Sequence, residues 1–266
     1  MCRHRLIAGQ EVCLADLPTR GKDLHPDRRA AKAEFRQLKQ ELFELQCRLY
    51  AEGRQQLLVV LQATDTGGKD GTIRDVFSGI NPQGVRVTSF KAPTAHELQH
   101  DFLWRVHRAV PATGMIGVFN RSHYEDVLIV RVDNLVPQSV WEPRYEAINQ
   151  FEKLLSQSQT KILKFFLHIS KAEQKQRLES RLSEPHKHWK FNIDDLQKRA
   201  QWEAYQQAYQ DMLSRCTTPQ APWYVIPADQ KWYRNLIITQ TIVQTLKDMD
   251  PQYPEQTDDL SAVVVH

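Results

Sequence analysis

The run at residues 57–72, Leu-Leu-Val-Val-Leu-Gln-Ala-Thr-Asp-Thr-Gly-Gly-Lys-Asp-Gly-Thr, constrains this chain more than any other stretch. An unbroken apolar segment that stops at a glycine pair reads as a buried strand turning sharply. The helical pattern after Lys69 then sets a helix N-terminus and several backbone N–H groups around one point, and such a point attracts an anion. Against the usual P-loop spacing, Ala63 takes the first glycine position and Asp70 follows the lysine in place of Ser or Thr. A magnesium ion at this loop therefore needs another oxygen, with Asp65 the nearest donor and Thr72 the next. A glycine-rich strand-to-helix turn with a surface lysine fits the same letters, so the loop alone does not decide.

The rest of the chain alternates in the same way. Residues 1–26 show no period and contain Pro18, Gly21 and Pro26, which reads as an arm lying over the domain. Phe35, Leu38, Leu42, Leu45 and Leu49 recur at helical spacing and Gly53 ends the run. Further strands are expected at 85–90, 114–120, 162–169 and 223–226. Helices are expected at 72–78, 96–110, 140–157, 170–182, 193–213 and 231–249, the 96–110 helix burying Leu98, Phe102, Val106 and Val110. Alternation of this kind predicts an α/β fold, a parallel sheet covered by helices on both faces. One domain over 27–250 is expected, with a lid at about 170–195 and a tail at 251–266 whose end, 261–266, reads equally as frayed or as an added strand.

Charge and cysteine usage narrow the partners. A formal net charge of +3 is too small to announce nucleic-acid binding, so an anionic partner must meet a local basic cluster. Cys2, Cys13, Cys47 and Cys216 form no CxxC pair or metal spacing. The start lacks a signal peptide's apolar core, and no stretch approaches the ~18 apolar residues of a membrane span. These features predict a cytoplasmic protein with neither a membrane nor a nucleic acid as partner.

Two constellations stand beside the loop. In Asn120-Arg-Ser-His-Tyr-Glu-Asp126, at the end of an expected strand, a carboxylate or amide can position magnesium, Arg121 can neutralise transferring phosphate charge, and Glu125 or Asp126 can orient an acceptor. An Arg121–Glu125 ion pair at i,i+4 explains the arginine equally well. His123 reads as solvated or hydrogen-bonded. In the lid segment, Arg177 and Arg181 project from one helical face, and Lys187 and Lys190 follow in a charged linker. A solvated basic face is the plainer reading, but a flap of this kind can close on phosphate held by the loop, and arginine matches phosphate oxygens bidentately. Trp202, Tyr205 and Tyr209 read as core. Lysines beside His186 and His188 argue against zinc.

Taken together, these blocks resemble the polyphosphate kinases of the second type, a P-loop family that moves phosphate between inorganic polyphosphate and nucleotides. Residues 65–72 resemble its modified P-loop, 119–126 its second acidic motif, and Ser170-Lys-Ala-Glu-Gln with Arg177, Arg181, Pro185, Lys187, Trp189 and Lys190 its lid. Ala221-Pro-Trp223 with Ala228-Asp-Gln-Lys231 resembles its C-terminal block. The resemblance implies a P-loop kinase-like three-layer α/β/α fold with a helical lid, and transfer of a terminal phosphate from polyphosphate to AMP or ADP with magnesium, reversibly. It further implies a phosphate site at Gly67, Gly68, Lys69, Asp70, Gly71 and Thr72, magnesium at Asp65, and charge stabilisation by Arg121. Lys91, Arg105 and the lid residues become polyphosphate contacts. Asn120, Arg121, Glu125 and Asp126 become the nucleotide side, with Asp126 orienting or deprotonating the acceptor, a purine nucleotide. Many members carry aspartate before the arginine where this chain has Asn120, a departure resembling the subgroup credited with both mono- and diphosphate acceptors. A homo-oligomer is also implied.

Two other readings share the loop. An ATP-dependent nucleotide kinase would use it, although the lid holds more positive charge than one triphosphate needs. A non-catalytic polyphosphate-binding protein would also use it, although Asp65, Glu125 and Asp126 would repel an anion unless a metal intervened.

Overall fold

The computed structural model describes residues 3–257. Five strands, β1 (Gln56–Gln62), β2 (Val85–Ser89), β3 (Ile116–Asn120), β4 (Thr160–His168) and β5 (Trp223–Pro227), form one parallel sheet in the order β2-β3-β1-β4-β5. Ten α-helices among the described residues precede, connect and follow them: α1 (Arg28–Glu52), α2 (Lys69–Phe77), α3 (Trp104–His107), α4 (Ile129–Val132), α5 (Gln138–Trp141), α6 (Arg144–Gln157), α7 (Lys171–Ser183), α8 (Asp194–Ala200), α9 (Trp202–Arg215) and α10 (Lys231–Met249). This is the expected three-layer α/β/α arrangement.

The central position of β1 follows from its composition, because every residue of the strand is buried. Its side chains alternate between two cores. Leu58 and Val60 point to a core with Tyr145, Ile148, Tyr209 and Met212 of α6 and α9. Leu57, Val59 and Leu61 meet Leu42, Leu49, Ile238 and Ile242 of α1 and α10. The edge strand β2 is half exposed, as its mixed sequence Val-Arg-Val-Thr-Ser requires. Capping sets the ends of α1: the Asp27 carboxylate accepts from the N–H groups of Arg29 and Ala30, and Gly53 closes the helix in the left-handed region at φ 63°.

The arm is built into the domain. Leu6 N–H donates to Trp223 O at 2.9 Å and Val225 N–H to His4 O at 3.0 Å, so the arm lies along the open edge of β5. Val12 and Leu14 enter the core of the α9 face. The expected tail ending at 261–266 lies outside the described residues. No helix among them is long and apolar enough to cross a membrane.

Three expected helices are corrected. Residues 96–110 form only a single turn at Glu97–Gln99 and the short α3. Thr94 and Glu97 do make a reciprocal cap, but Asp101 then accepts from Leu103 N–H at 2.9 Å, a local turn that competes with helix propagation. Leu98, expected to be buried, is 69% exposed. Pro143 divides 140–157 into α5 and α6, since a proline has no N–H to carry on the helical hydrogen-bond ladder. The run 193–213 breaks at Gln201 into α8 and α9. Helix α2 begins at Lys69, three residues before the expected Thr72, so the lysine itself occupies the first helical position.

Candidate active site

Strands β1 and β3 are parallel neighbours with Leu61 opposite Asn120, which brings the glycine loop and the Asn120–Asp126 segment together at one sheet edge. This is where an α/β sheet collects ligands, beyond the carboxyl ends of strands whose connections diverge. Both glycines of the pair are sterically required. A Cβ on Gly67 would lie 2.4 Å from that of Ala63, and one on Gly68 would lie 2.2 Å from Nη1 of Arg234; Gly68 also sits at φ 101°. Two non-glycine residues of the site, Thr66 (φ 63°) and Arg121 (φ 61°), are held in the left-handed region. Such conformations cost about 1–3 kcal/mol each and collect at functional sites.

The side chains converge on the loop. Lys69 is buried and its ammonium donates to Ala63 O at 3.1 Å. Burial, then the charge of Arg121, lower its pKa, against the opposing fields of Asp65, Glu125 and Asp70. Arg121 Nη2 meets Asp65 Oδ1 at 3.1 Å, so the arginine pairs with the loop carboxylate and not with Glu125 at i+4. Burial works against the Arg121 charge, but Glu125 and Asp65 raise its pKa. Asn120 donates to Asp70 Oδ1 at 2.7 Å, tying β3 to the first turn of α2.

Glu125 and Asp126, adjacent in sequence, face different partners. The field of Glu125 reaches Lys69 and Arg121. Asp126 instead accepts from Arg144 Nη1 at 2.9 Å. Burial pushes its carboxyl up to about 6, opposed by Arg144 and Arg105. Arg105 donates to Lys91 O at 2.8 Å and stands over the Phe90 ring. Lys91 and Arg105 thus extend the basic edge beyond β2. Arg144 went unnoticed in the sequence, where it is one arginine at the start of an amphipathic helix.

The expected lid residues are mostly engaged with protein groups. Ser170 caps α7, and its N–H donates to Asp229 Oδ1 at 2.9 Å. Arg177 donates to the loop carbonyls of Thr66 and Gly67, both at 3.0 Å, and to Ala228 O at 2.6 Å, and pairs with Glu173 at 2.7 Å. Its contact is therefore with the loop backbone. Arg181 binds Lys190 O and Asp195, each at 2.9 Å. Lys187 reaches Glu184 and Ser180. Lys190 lies over the ring of Trp189, which is 79% exposed. Trp202 and Tyr209 are core as expected, with Tyr205 half buried. His123 takes the hydrogen-bonded alternative, fully buried against Glu152 at 3.2 Å.

The donor set fits a hard divalent ion such as magnesium. Asp65 offers a carboxylate, and the hydroxyls of Thr64 and Thr66 beside it are buried without hydrogen-bond partners. Among the described residues no three acidic, histidine or cysteine side chains form a cage. That suits an ion held by one or two carboxylates, with water and phosphate oxygens completing its shell.

Residues 25–254 match the family model described as polyphosphate kinase 2 (PPK2). A protein of Meiothermus ruber named AMP/ADP-polyphosphate phosphotransferase is 53% identical over 238 residues, covering 90% of this chain and 89% of the relative. An ADP-polyphosphate phosphotransferase of Rhodopseudomonas palustris is 44% identical over 96% of this chain and 92% of its own length. The crystal structure of a polyphosphate kinase 2 from Arthrobacter aurescens superimposes with a TM-score of 0.93 at 42% identity, covering 97% of this chain and 93% of that one.

Proposed function

The chain belongs to the polyphosphate kinase 2 family, and from that premise we propose that it transfers the terminal phosphate of inorganic polyphosphate to AMP and ADP, reversibly. One observation carries the reading at the level of the site. The helix N-terminus at Lys69, the Arg121 guanidinium and the Asp65 carboxylate meet at the adjacent ends of β1 and β3.

The geometry supports the following division of labour. The amides of 67–72 and the Lys69 ammonium hold the phosphate being transferred, and Arg121, paired to Asp65, stands ready to take the charge that spreads over its oxygens. Magnesium, bound through Asp65, supplies further neutralisation of phosphate oxygens. On the acceptor side, Asn120 and Glu125 face the nucleotide phosphate. Asp126, held by Arg144, accepts or steers its proton; a carboxyl with a pKa of about 6 is suited to that at neutral pH. Lys91 and Arg105 guide the phosphate chain along the β2 edge. Arg181, Lys187 and Lys190 close on it by exchanging protein acceptors for phosphate oxygens, while Arg177 acts through the loop. Positioning and charge account for the rate, with no covalent enzyme intermediate.

The same reading has the enzyme acting as a cytoplasmic homo-oligomer on free nucleotides. Incubation with polyphosphate, magnesium and either AMP or ADP, scored for new ADP and ATP, tests it. Transfer to neither acceptor, with polyphosphate binding retained, would leave a binding protein; transfer only from ATP would leave an ordinary nucleotide kinase.

A further inference from the structure

Helix α10 enters the site from behind. Between residues 232 and 246 its only charged side chain is Arg234, in the first turn of an otherwise uncharged stretch. The residue is 1% exposed. Nε and Nη2 both donate to Oδ1 of the neighbouring Asn235, at 3.0 and 2.8 Å, and Asn235 in turn donates to Asp75 at 3.0 Å. Nη1 is buried with no acceptor.

That unpartnered nitrogen lies against the phosphate loop. A Cβ built on Gly68 would stand 2.2 Å from Arg234 Nη1 and 3.4 Å from Arg177 Nη1, and one on Gly71 would stand 3.7 Å from Arg234 Nη2. Two guanidinium groups therefore share one side of the loop, and they differ in how their charge is met. Arg177 is paired directly with Glu173. Arg234 reaches an acid, Asp75, only through the neutral Asn235 amide. Burial and the charge of Arg177 bring the Arg234 pKa down to about 10, which still leaves the group charged at neutral pH. A buried cation without a close counterion costs free energy until an anion approaches. Covered as it is by Gly68, Arg234 does not touch a phosphate on the far side of the loop; its field reaches one through the loop.

We propose that Arg234 is a positioning residue whose uncompensated positive charge, set directly behind Gly68, is completed by the phosphate chain that the loop binds. The inference rests on the assignment of that loop as the phosphate site. It carries a sign that a purely structural arginine would not. Removing the charge relieves the unliganded protein and weakens only the liganded one.

The test compares wild type, Arg234→Met, Arg234→Gln and Arg234→Lys by thermal melting with tripolyphosphate titrated in, and by steady-state transfer to AMP. Without tripolyphosphate, Arg234→Met should melt no lower than wild type. Its half-saturating tripolyphosphate concentration and its KM for polyphosphate should both rise about tenfold, with kcat changed far less, as expected for a coupling between two sites. Arg234→Lys should recover most of the affinity. An Arg234→Met protein that melts lower yet keeps the wild-type half-saturation overturns the inference. Should that variant not fold, Gln against Lys decides, since equal half-saturation in the two overturns it and a tighter Lys variant supports it. A wild-type protein that tripolyphosphate neither stabilises nor phosphorylates AMP through overturns the loop assignment, and this inference with it.

Discussion

Two groups of buried charge flank the sheet, and they are built to opposite specifications. On the α6 face, all three N–H donors of Lys164 are used, by Glu152 Oε2 at 2.6 Å, Tyr124 Oη at 2.7 Å and Cys216 O at 2.7 Å. The Tyr124 hydroxyl donates to Glu152 at 2.7 Å, and His123, which burial keeps neutral, donates to the same carboxylate. Burial alone would push the Glu152 carboxyl up; Lys164 and His123 overcome it and hold it below the usual range. At the glycine loop the cations are left incomplete. Lys69 has a backbone carbonyl, Arg234 has a free Nη1, and Asp65 shares Arg121 with whatever the site receives. A network whose charges are all met fixes structure, whereas one with unmet charge can take a ligand.

The contrast can be broken at the closed network first. Lys164→Met should destabilise the protein by about 3–5 kcal/mol in urea unfolding, because it strands a buried carboxylate, while turnover per folded molecule changes little. Normal stability with lost turnover would move Lys164 into the functional group. At the open network the order reverses. Lys69→Ala should lower turnover roughly 10²-fold or more with a modest change in melting, by analogy with other transition-state charge stabilisers. Near-normal turnover would remove the lysine from the site.

The Asp126–Arg144 pair lies between these extremes, and its pH dependence sharpens the distinction. The folded-state carboxyl sits near 6, above its ordinary 3.8, so the folded protein holds the extra proton between those values. Its contribution to stability is therefore greatest below pH 4 and declines as pH rises through about 6. Activity should run the other way, since the proposed mechanism needs the ionised carboxylate. Transfer should fall about tenfold per pH unit below 6, and Asp126→Asn should abolish that limb along with most of the rate. A flat profile in the wild type would end the acid–base assignment. The smallest effect is expected in the lid. Lys187→Ala breaks only half-exposed contacts with Glu184 and Ser180, so melting should move little, while KM for polyphosphate rises about threefold and more at low salt.

Much of this was legible beforehand, for identifiable reasons. The central strand was readable because burial on both faces demands an unbroken apolar run, and the loop because glycine alone satisfies positions such as Gly68. The helix expected at 96–110 was misread because hydrophobic spacing does not reveal that the Asp101 side chain will take a backbone N–H. That 120–126 lies beside the glycine loop at the carboxyl edge of the sheet was readable, but not which carboxylate faces which cation. Adjacent residues in a tight 3-10 turn diverge, and only the positions of Lys69 and Arg144 assign them.

The amino-acid sequence by itself determined the parallel sheet, the glycine loop after its central strand and the family, since these depend on local periodicity and on backbone conformations that few residues adopt. Tertiary structure alone decided where each guanidinium goes. Arg177 turned out to hold loop carbonyls, Arg121 to pair with Asp65, and Arg234 to stand behind Gly68, although most of the chain separates that last pair. An arginine carries the same charge wherever it occurs, and its role is set by the acceptors that the fold leaves within reach.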